Sequence, residues 1–277
     1  MISIHNNSGA MVALQTLGDV NTQLNDVQDD ISTGQEVNTA QNNAALWAIS
    51  ELMNSDISGL RSVSESLSLG EATVAVASAG AEQITETLSE MRSLAIMASS
   101  GMGDFSKYEA ALASKTEQIN SIISSSGFNG VNLLKADVDG AGGTSLTVAS
   151  SLPGTGSLST LSVDGVDFES SPLFDLGSRT AITDSASALT ALGEIEGFLS
   201  YAVDSSAALG ASANTLAGQG DFISKVSDSI TQGVSSMIDT NMEEAAAQWR
   251  ALQAQQQLST VALSIANSMP DTLRNLY

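Results

Sequence analysis

Two long rows of apolar residues, advancing by alternating steps of three and four, constrain this chain more than any other feature. The first row runs from Leu46 to Ala98 and the second from Leu192 to Met237. Such spacing is typical of long helices that pack along one seam. The rows admit a few polar residues or glycines, at Asp56, Gly70, Ser206, Gly220 and Ser227. We expect an antiparallel coiled-coil rod, in which the first helix would be roughly 80 Å long at 1.5 Å per residue.

Composition argues against several classes of function. Only 4% of the residues are aromatic, which disfavours a large globular core, and the formal net charge is −22. This acidity disfavours nucleic acid and anionic membrane surfaces, because both are bound through Lys and Arg. The chain has no cysteine, so disulfides and thiolate nucleophiles are excluded.

The sequence also bears on location. No run of about 18 apolar residues predicts a membrane-spanning helix. The first basic residue is Arg61, so no basic segment marks a cleaved signal peptide. If the chain is secreted, we expect it to leave by a route that uses no cleaved signal. A signalling or receptor-type helical hairpin would need a transmembrane segment or a sensory domain, and neither pattern is present.

Shorter elements flank the two rows. A helix is predicted from Ser8 to Ser32 with Gly34 as its C-cap, and the long helix should begin at a cap formed by Asn42 or Asn43. A turn at Gly101–Asp104 should precede a shorter helix, which is expected to bury Phe105, Tyr108, Leu112, Ile119 and Ile122. After a break at 239–241, a last helix should carry an apolar face that ends or kinks at Pro270.

The middle of the chain changes to short β-branched runs between glycines. Leu146–Val148 and Leu161–Val163 read as strands, and Asn129-Gly130 and Asp164-Gly165 as hairpin turns. We expect a small β region at the tip of the rod, where the chain reverses. The expected division is an N-terminal assembly helix at 1–33, a linker at 34–43, rod halves at 44–135 and 186–238, a β-rich tip at 136–185, and a C-terminal assembly helix at 239–277.

Both terminal helices have apolar faces that one chain cannot fully cover, which predicts a second coiled coil that depends on assembly. Their sequences resemble the ends of bacterial flagellins, of the short form without large outer domains. The matching stretches are Met11–Leu17, Ile31–Gly34, Asn38–Ile49, Leu88–Ala95, Phe128–Val131, Ala251–Leu258 and Ala262–Asn267. The chain departs from the family at its Leu273–Tyr277 ending and at Ser93, where the family often has Glu.

The resemblance implies a structural subunit that is exported unfolded through the flagellar channel and polymerises into the extracellular filament for swimming. The alternative is a hook–filament junction protein. Implied partners are other copies of the chain, an export chaperone, and cap or junction proteins. The implied subunit-interface residues are Leu14, Leu17, Leu24, Ile31, Arg92, Leu94, Asn129, Leu258, Val261, Ile265 and Asn267. Arg92, Leu94 and Glu117 would lie near the surface that an animal flagellin receptor recognises, but Ser93 leaves recognition open.

No residue pattern predicts catalysis, a cofactor or a metal. His5 is the only histidine, and Asp137, Asp139 and Gly140 fit part of a calcium loop whose first and last positions are Lys135 and Leu146. A turn explains that loop better, and Asn6 heads a glycosylation triplet of a kind common by chance. Exposed hydroxyls of the tip are either O-glycan acceptors, as the resemblance implies, or simple turn residues. The candidate acceptors are Thr144, Ser145, Ser157, Ser159 and Thr160.

Overall fold

The computed structural model describes residues 7–151 and 159–274, with side chains described as far as Ser268. Within these residues the chain is mainly α-helical with one small antiparallel sheet, which confirms the predicted fold class. No helix in this part of the chain is both long and apolar enough to span a membrane. The elements are α1 (Ser8–Thr33), α2 (Ala44–Ser99), α3 (Phe105–Ser125), β1 (Ser145–Ser151), β2 (Ser159–Asp164), α4 (Ser185–Ile238) and α5 (Met242–Arg274).

The chain forms two compact units. Unit 1 contains Met1–Ile57 and Ser229–Tyr277, and unit 2 contains Ser58–Asp228. Both boundaries therefore lie inside the long helices α2 and α4. In unit 2, Leu60 of α2 and Ile223 of α4 line the same cavity, and Arg92 of α2 pairs with Glu196 of α4. Within unit 2 the two long helices thus run antiparallel, as their apolar rows predict.

Local residues set the helix ends. Gly34 ends α1 in the left-handed conformation, with φ 73°, and its N–H donates to Asp30 O at 2.8 Å. Asn43 rather than Asn42 caps α2, since its Oδ1 accepts from the N–H groups of Ala45 and Leu46 at 3.2 Å. Asn42 instead accepts from Thr39 N–H.

The apolar row of α2 is buried as predicted from Leu60 to Ala98. Its first turns differ, because Ser50 and Ile57 are buried whereas Ile49 and Asp56 are exposed. Burying Ile57 keeps the Asp56 carboxylate in water, where its charge is far less costly. The row therefore takes two successive steps of three, from Ile57 to Leu60 and on to Val63.

The row of α4 also shifts in part. Ile195, Ala202, Leu209, Leu216 and Ile223 are buried as predicted. Near its start, α4 also packs against residues 168–182, which widens its buried face. Different positions are consequently buried: Ala191, Phe198 and Ser205 replace Leu192, Leu199 and Ser206.

Helix α3 buries Leu112 and Ile119, as predicted, but Ile123 replaces Ile122 as its third core residue. Ile122, Phe105 and Tyr108 are only half-buried. Since Ile122 and Ile123 are consecutive isoleucines, the sequence alone does not separate their roles. Helix α5 continues past Pro270 to Arg274, so the proline does not end the helix, although it removes one N–H donor from it.

Both predicted strands are present and pair with each other antiparallel, with Leu146 opposite Val163 and Val148 opposite Leu161. Its position corrects the prediction of a tip. Ala149 N–H donates to Ser66 Oγ of α2 at 3.4 Å, and Gln219 Nε2 of α4 donates to Ser150 O at 2.7 Å. Ser66 is more than thirty residues before the end of α2 at Ser99, about 50 Å along the helix at 1.5 Å per residue. The hairpin therefore packs on the sides of the helices.

The two predicted turns have different outcomes. Asn129 and Gly130 both have positive φ, 50° and 83°, and close a turn in which Phe128 and Val131 exchange both backbone hydrogen bonds. This is the geometry of a type I′ turn. The Asp164-Gly165 turn was a wrong prediction, because Asp164 ends β2. Val166 N–H then donates to Leu133 O at 2.6 Å and so takes the chain away from the sheet.

Candidate assembly surfaces

Unit 1 contains an antiparallel pair formed by α1 and α5. Its core is small and consists of Val20, Val27, Ala245 and Leu252, with Leu24, Ile31 and Trp249 packed against them. Hydrogen bonds fix the register at two levels. Asn7 Nδ2 donates to Ala266 O at 2.8 Å, and Gln256 Nε2 donates to Asn21 Oδ1 at 2.7 Å.

Six large apolar side chains of this pair remain in solvent at the end where α1 begins. Each is more than half exposed, and together they are Met11, Val12, Leu14, Leu258, Val261 and Ile265. The surrounding stretches 7–18 and 251–268 contain no Asp, Glu, Lys or Arg. We call these six residues the terminal apolar surface. A charge-free apolar surface on a chain of net charge −22 is typical of a protein contact site.

The predicted interface residues of unit 1 fall into two groups. Leu14, Leu258, Val261, Ile265 and Asn267 are exposed and free to contact another molecule. Leu24 and Ile31 pack on the core of the α1–α5 pair, and Leu17 is half-buried. Leu24 and Ile31 therefore hold the two terminal helices of one chain together.

The predicted interface residues of unit 2 lie on two different elements: Arg92 and Leu94 on α2, and Asn129 in the turn after α3. Arg92 forms an ion pair with Glu196, 3.0 Å between Nε and Oε1, and both side chains are about half exposed. Leu94 is half-buried. Asn129 is exposed in the type I′ turn, where its positive φ places it in the left-handed region that asparagine tolerates.

Both ends of the chain match one protein family. A profile of the bacterial flagellin N-terminal helical region matches residues 4–139, and a profile of the C-terminal helical region matches residues 192–277. The chain belongs to the bacterial flagellin family. A flagellin of Brucella melitensis is 33% identical over 100% of this chain and 99% of its own length.

Other flagellins are similar over their full length. Flagellin FljK of Caulobacter vibrioides is 32% identical, with 99% of this chain and 98% of that protein covered. A crystal structure of Bacillus cereus flagellin has a TM-score of 0.48 and 21% identity, covering 58% of this chain and 88% of that chain. The two profile matches and the full-length relatives show that the protein is a structural subunit of the flagellar filament, and they favour that role over a hook–filament junction protein.

Residues 168–174 lie between the two profile matches and pack on α4 through aromatic side chains. Phe168, Phe174, Phe198 and Tyr201 form an aromatic cluster with ring centroids 4.7–5.8 Å apart. The hydroxyl of Tyr201 donates to Asp167 O at 2.9 Å. The sequence analysis missed this cluster, because its first two members lie in an irregular segment without periodicity.

Two carboxylates attach the irregular segment before α4 to helices α3 and α4. Arg179 Nη2 lies 2.6 Å from Glu109 Oε1 on α3, and Glu109 Oε2 accepts from Ile182 N–H at 2.8 Å. On α4, Glu194 accepts hydrogen bonds from the N–H and hydroxyl of Thr180 at 2.7 and 2.8 Å. No local sequence signal reveals these contacts, although Arg179 is the only Lys or Arg between Lys135 and Lys225, which is a reason to look for its partner.

The expected O-glycan acceptors lie in different surroundings. Thr144, Ser159 and Thr160 are exposed, and Ser145 is half-buried opposite Asp164 in the sheet. Ser157 lies outside the described residues, as do His5 and Asn6.

The loop that partly fits a calcium motif is a turn. Asp139 Oδ1 accepts from Gly143 N–H and Ala141 N–H, both at 2.9 Å. These backbone hydrogen bonds lower the pKa of Asp139. Asp137 accepts in turn from Gly142 N–H, so both carboxylates already satisfy backbone donors.

Proposed function

We propose that the chain is exported unfolded and joins the filament through the terminal apolar surface on α1 and α5. The observation that carries this proposal is the exposure of Leu258, Val261 and Ile265 on α5 and of Met11 and Leu14 on α1, in two stretches of the chain without charges. Copies with net charge −22 repel each other at most surfaces. A charge-free surface lets two copies meet without that cost. Salt screens the repulsion between their other, charged surfaces over a distance of about 8 Å at 0.15 M ionic strength.

The small core of the α1–α5 pair supports folding that is completed on assembly. Four buried residues cover only part of two helices of 26 and 33 residues. Isolated helices with little tertiary packing are marginally stable in water. In a single subunit the pair would open readily, and contacts from neighbouring copies would supply the missing burial.

Export in an unfolded state fits the composition. A chain without cysteine forms no disulfide that would resist threading through a channel. An export chaperone would hold the exposed half of α5 before assembly, because its apolar side chains are otherwise in water. Cap and junction proteins would contact the same surface at the two filament ends. In the assembled filament the chain is extracellular.

Seeded polymerisation of the purified full-length protein, followed by electron microscopy, tests the proposal. The wild type should extend sheared filament seeds in moderate salt into tubes of uniform width. Leu258→Ser should raise the critical concentration about tenfold or more, since ~1.4 kcal/mol of contact energy corresponds to a factor of ten. The matched control is Leu173→Ser, because Leu173 is equally exposed, 68% against 69%, but lies outside both profile matches.

Two results would contradict the proposal. If the two variants polymerise equally well, the terminal apolar surface is not the contact. If wild-type protein stays monomeric with seeds over a range of salt concentrations, the chain needs a partner, as a junction protein or minor subunit would.

A further inference from the structure

Unit 1 contains an acidic crevice between the end of α1 and the start of α5. Its volume is about 330 Å³, and its lining includes the carboxylates of Asp30, Glu36 and Glu244 together with Thr240 and Gln248. We call this site the acidic crevice. It lies far along the helices from the terminal apolar surface, since Leu258 follows Glu244 by fourteen residues, about 21 Å of helix.

The negative charge of the crevice is not compensated within the described chain. None of its three carboxylates forms an ion pair there. The last turn of α1 contains no basic residue, although the end of a helix favours a cation. Burial, and then repulsion from Glu36, Asp26 and Asp29, raise the pKa of Asp30. Thr240 also lines the crevice. Its Oγ1 is buried and has no hydrogen-bond partner in the described structure.

The same unit carries one unpaired cation on a different face. Arg250 is the only Lys or Arg in the stretches 7–57 and 229–268. Its side chain is exposed, and no residue of the described structure pairs with it. Arg250 follows Gln248 by two residues, which places it roughly 200° around α5 at 100° per residue. It therefore points away from the crevice of its own chain.

We propose that Arg250 of one copy docks into the acidic crevice of a neighbouring copy, an inference that rests on the filament proposed above. A guanidinium is suited to this site, because its planar donors bind carboxylates in pairs. The contact joins two different surfaces of the same chain. Such a head-to-tail contact can repeat from copy to copy, and it generates an open helical assembly when the rotation between copies does not close a ring. The occupant is thus a second copy, whose guanidinium and crevice are complementary in charge.

Two variants separate a contact between copies from a contact within one copy. The first is Arg250→Glu, and the second combines Glu36→Lys with Glu244→Lys. Alone, each places like charges at every such contact, so each should extend wild-type seeds at least tenfold more slowly than wild type. An equimolar mixture should recover growth to within about threefold, because alternating copies restore opposite charges at each contact.

Lys107→Glu on α3 is the matched control, since it changes net charge as Arg250→Glu does and Lys107 has no ion pair in the described residues. It should leave growth within about twofold of wild type. Circular dichroism of each monomer verifies that the variants fold. Growth of the wild-type protein tests whether the chain forms the proposed filament. Growth of the mixture tests whether Arg250 contacts the acidic crevice of a neighbouring copy. Equal growth of Arg250→Glu and Lys107→Glu would overturn the inference, as would a mixture that grows no faster than its components.

Discussion

Arg179 and Glu109 form a 2.6 Å ion pair although 70 positions separate them in the chain, and only 5% of the Arg179 side chain is exposed. Glu109 also accepts the N–H of Ile182. One carboxylate of α3 therefore holds two points of the irregular segment that leads into α4. Arg179 and Ile182 lie between the two flagellin profile matches, whereas Glu109 lies inside the first of them.

Replacing Glu109 should destabilise unit 2. Glu109→Gln leaves the buried guanidinium of Arg179 without a counter-charge, which should cost about 3 kcal/mol. Urea unfolding followed by circular dichroism measures this change. Glu90→Gln is the control, because Lys115, the partner of Glu90, is 30% exposed against 5% for Arg179, so this pair should contribute less than about 1 kcal/mol. Equal effects of the two substitutions would show that burial of Arg179 is unimportant.

Stability should fall in acid, partly through Glu109. Burial alone would raise the pKa of Glu109, but hydrogen bonds from Arg179 and Ile182 N–H and the charge of Arg179 together lower it below its ordinary 4.5. The stabilisation is therefore complete above pH 4.5 and is lost as the pH falls through the lower folded value. Backbone hydrogen bonds lower the pKa values of Asp139 and Asp184 in the same direction.

Urea midpoints of wild type and Glu109→Gln, measured between about pH 3 and pH 7, isolate the Glu109 contribution. The difference between the two proteins should be constant near neutral pH and should shrink below pH 4.5. A difference that grows on acidification would contradict the assigned direction of the pKa shift.

Asp30→Asn should stabilise the monomer and weaken the polymer. Because the pKa of Asp30 is raised by burial and by neighbouring carboxylates, its charged form is unfavourable at neutral pH. Removing the charge should add up to about 1 kcal/mol to unit 1 at pH 7, and the gain should disappear as acid protonates Asp30 in the wild type. Thermal unfolding measures the first effect. Seeded growth measures the second, which is expected because the acidic crevice loses one ligand for Arg250.

Replacing a glycine by alanine should have opposite effects on stability at two positions in the long helices. A Cβ on Gly80 of α2 would lie 2.8 Å from Leu134 Cδ1 and even closer to Ser126 Oγ, so Gly80→Ala should cost roughly 1–3 kcal/mol. Gly197 of α4 has nothing within 4 Å of that position. Gly197→Ala should stabilise the helix by about 0.5–1 kcal/mol. Melting temperatures of the two variants that move in the same direction would contradict this packing.

Deleting residues 1–40 should leave unit 2 folded. The deletion removes α1 and with it half of the core that α5 uses, so helicity should fall by the contributions of both helices. The aromatic cluster belongs to unit 2, and its near-ultraviolet circular dichroism should persist in a soluble monomer. Loss of that signal would show that unit 2 depends on the terminal helices.

The sequence by itself determined the helices, their caps and most of the seam. The C-cap at Gly34 and the row from Leu60 to Ala98 act through residues within one or two turns, so spacing and cap chemistry suffice to predict them. For the cap of α2 the sequence narrowed the choice to Asn42 or Asn43. The two short β-branched runs marked the strands in the same way, and the terminal sequences identified the family. These features are encoded locally.

Tertiary structure decided what lies against each element. Asp164-Gly165 has the sequence of a hairpin turn, yet the backbone oxygen of Leu133 takes up the next N–H and redirects the chain. The burial of Ile57 rather than Asp56, the hairpin on the sides of the helices, and the Arg179–Glu109 pair depend likewise on distant residues. Short patterns are compatible with several such arrangements, and the choice among them falls to the burial and hydrogen bonding of groups far apart in sequence.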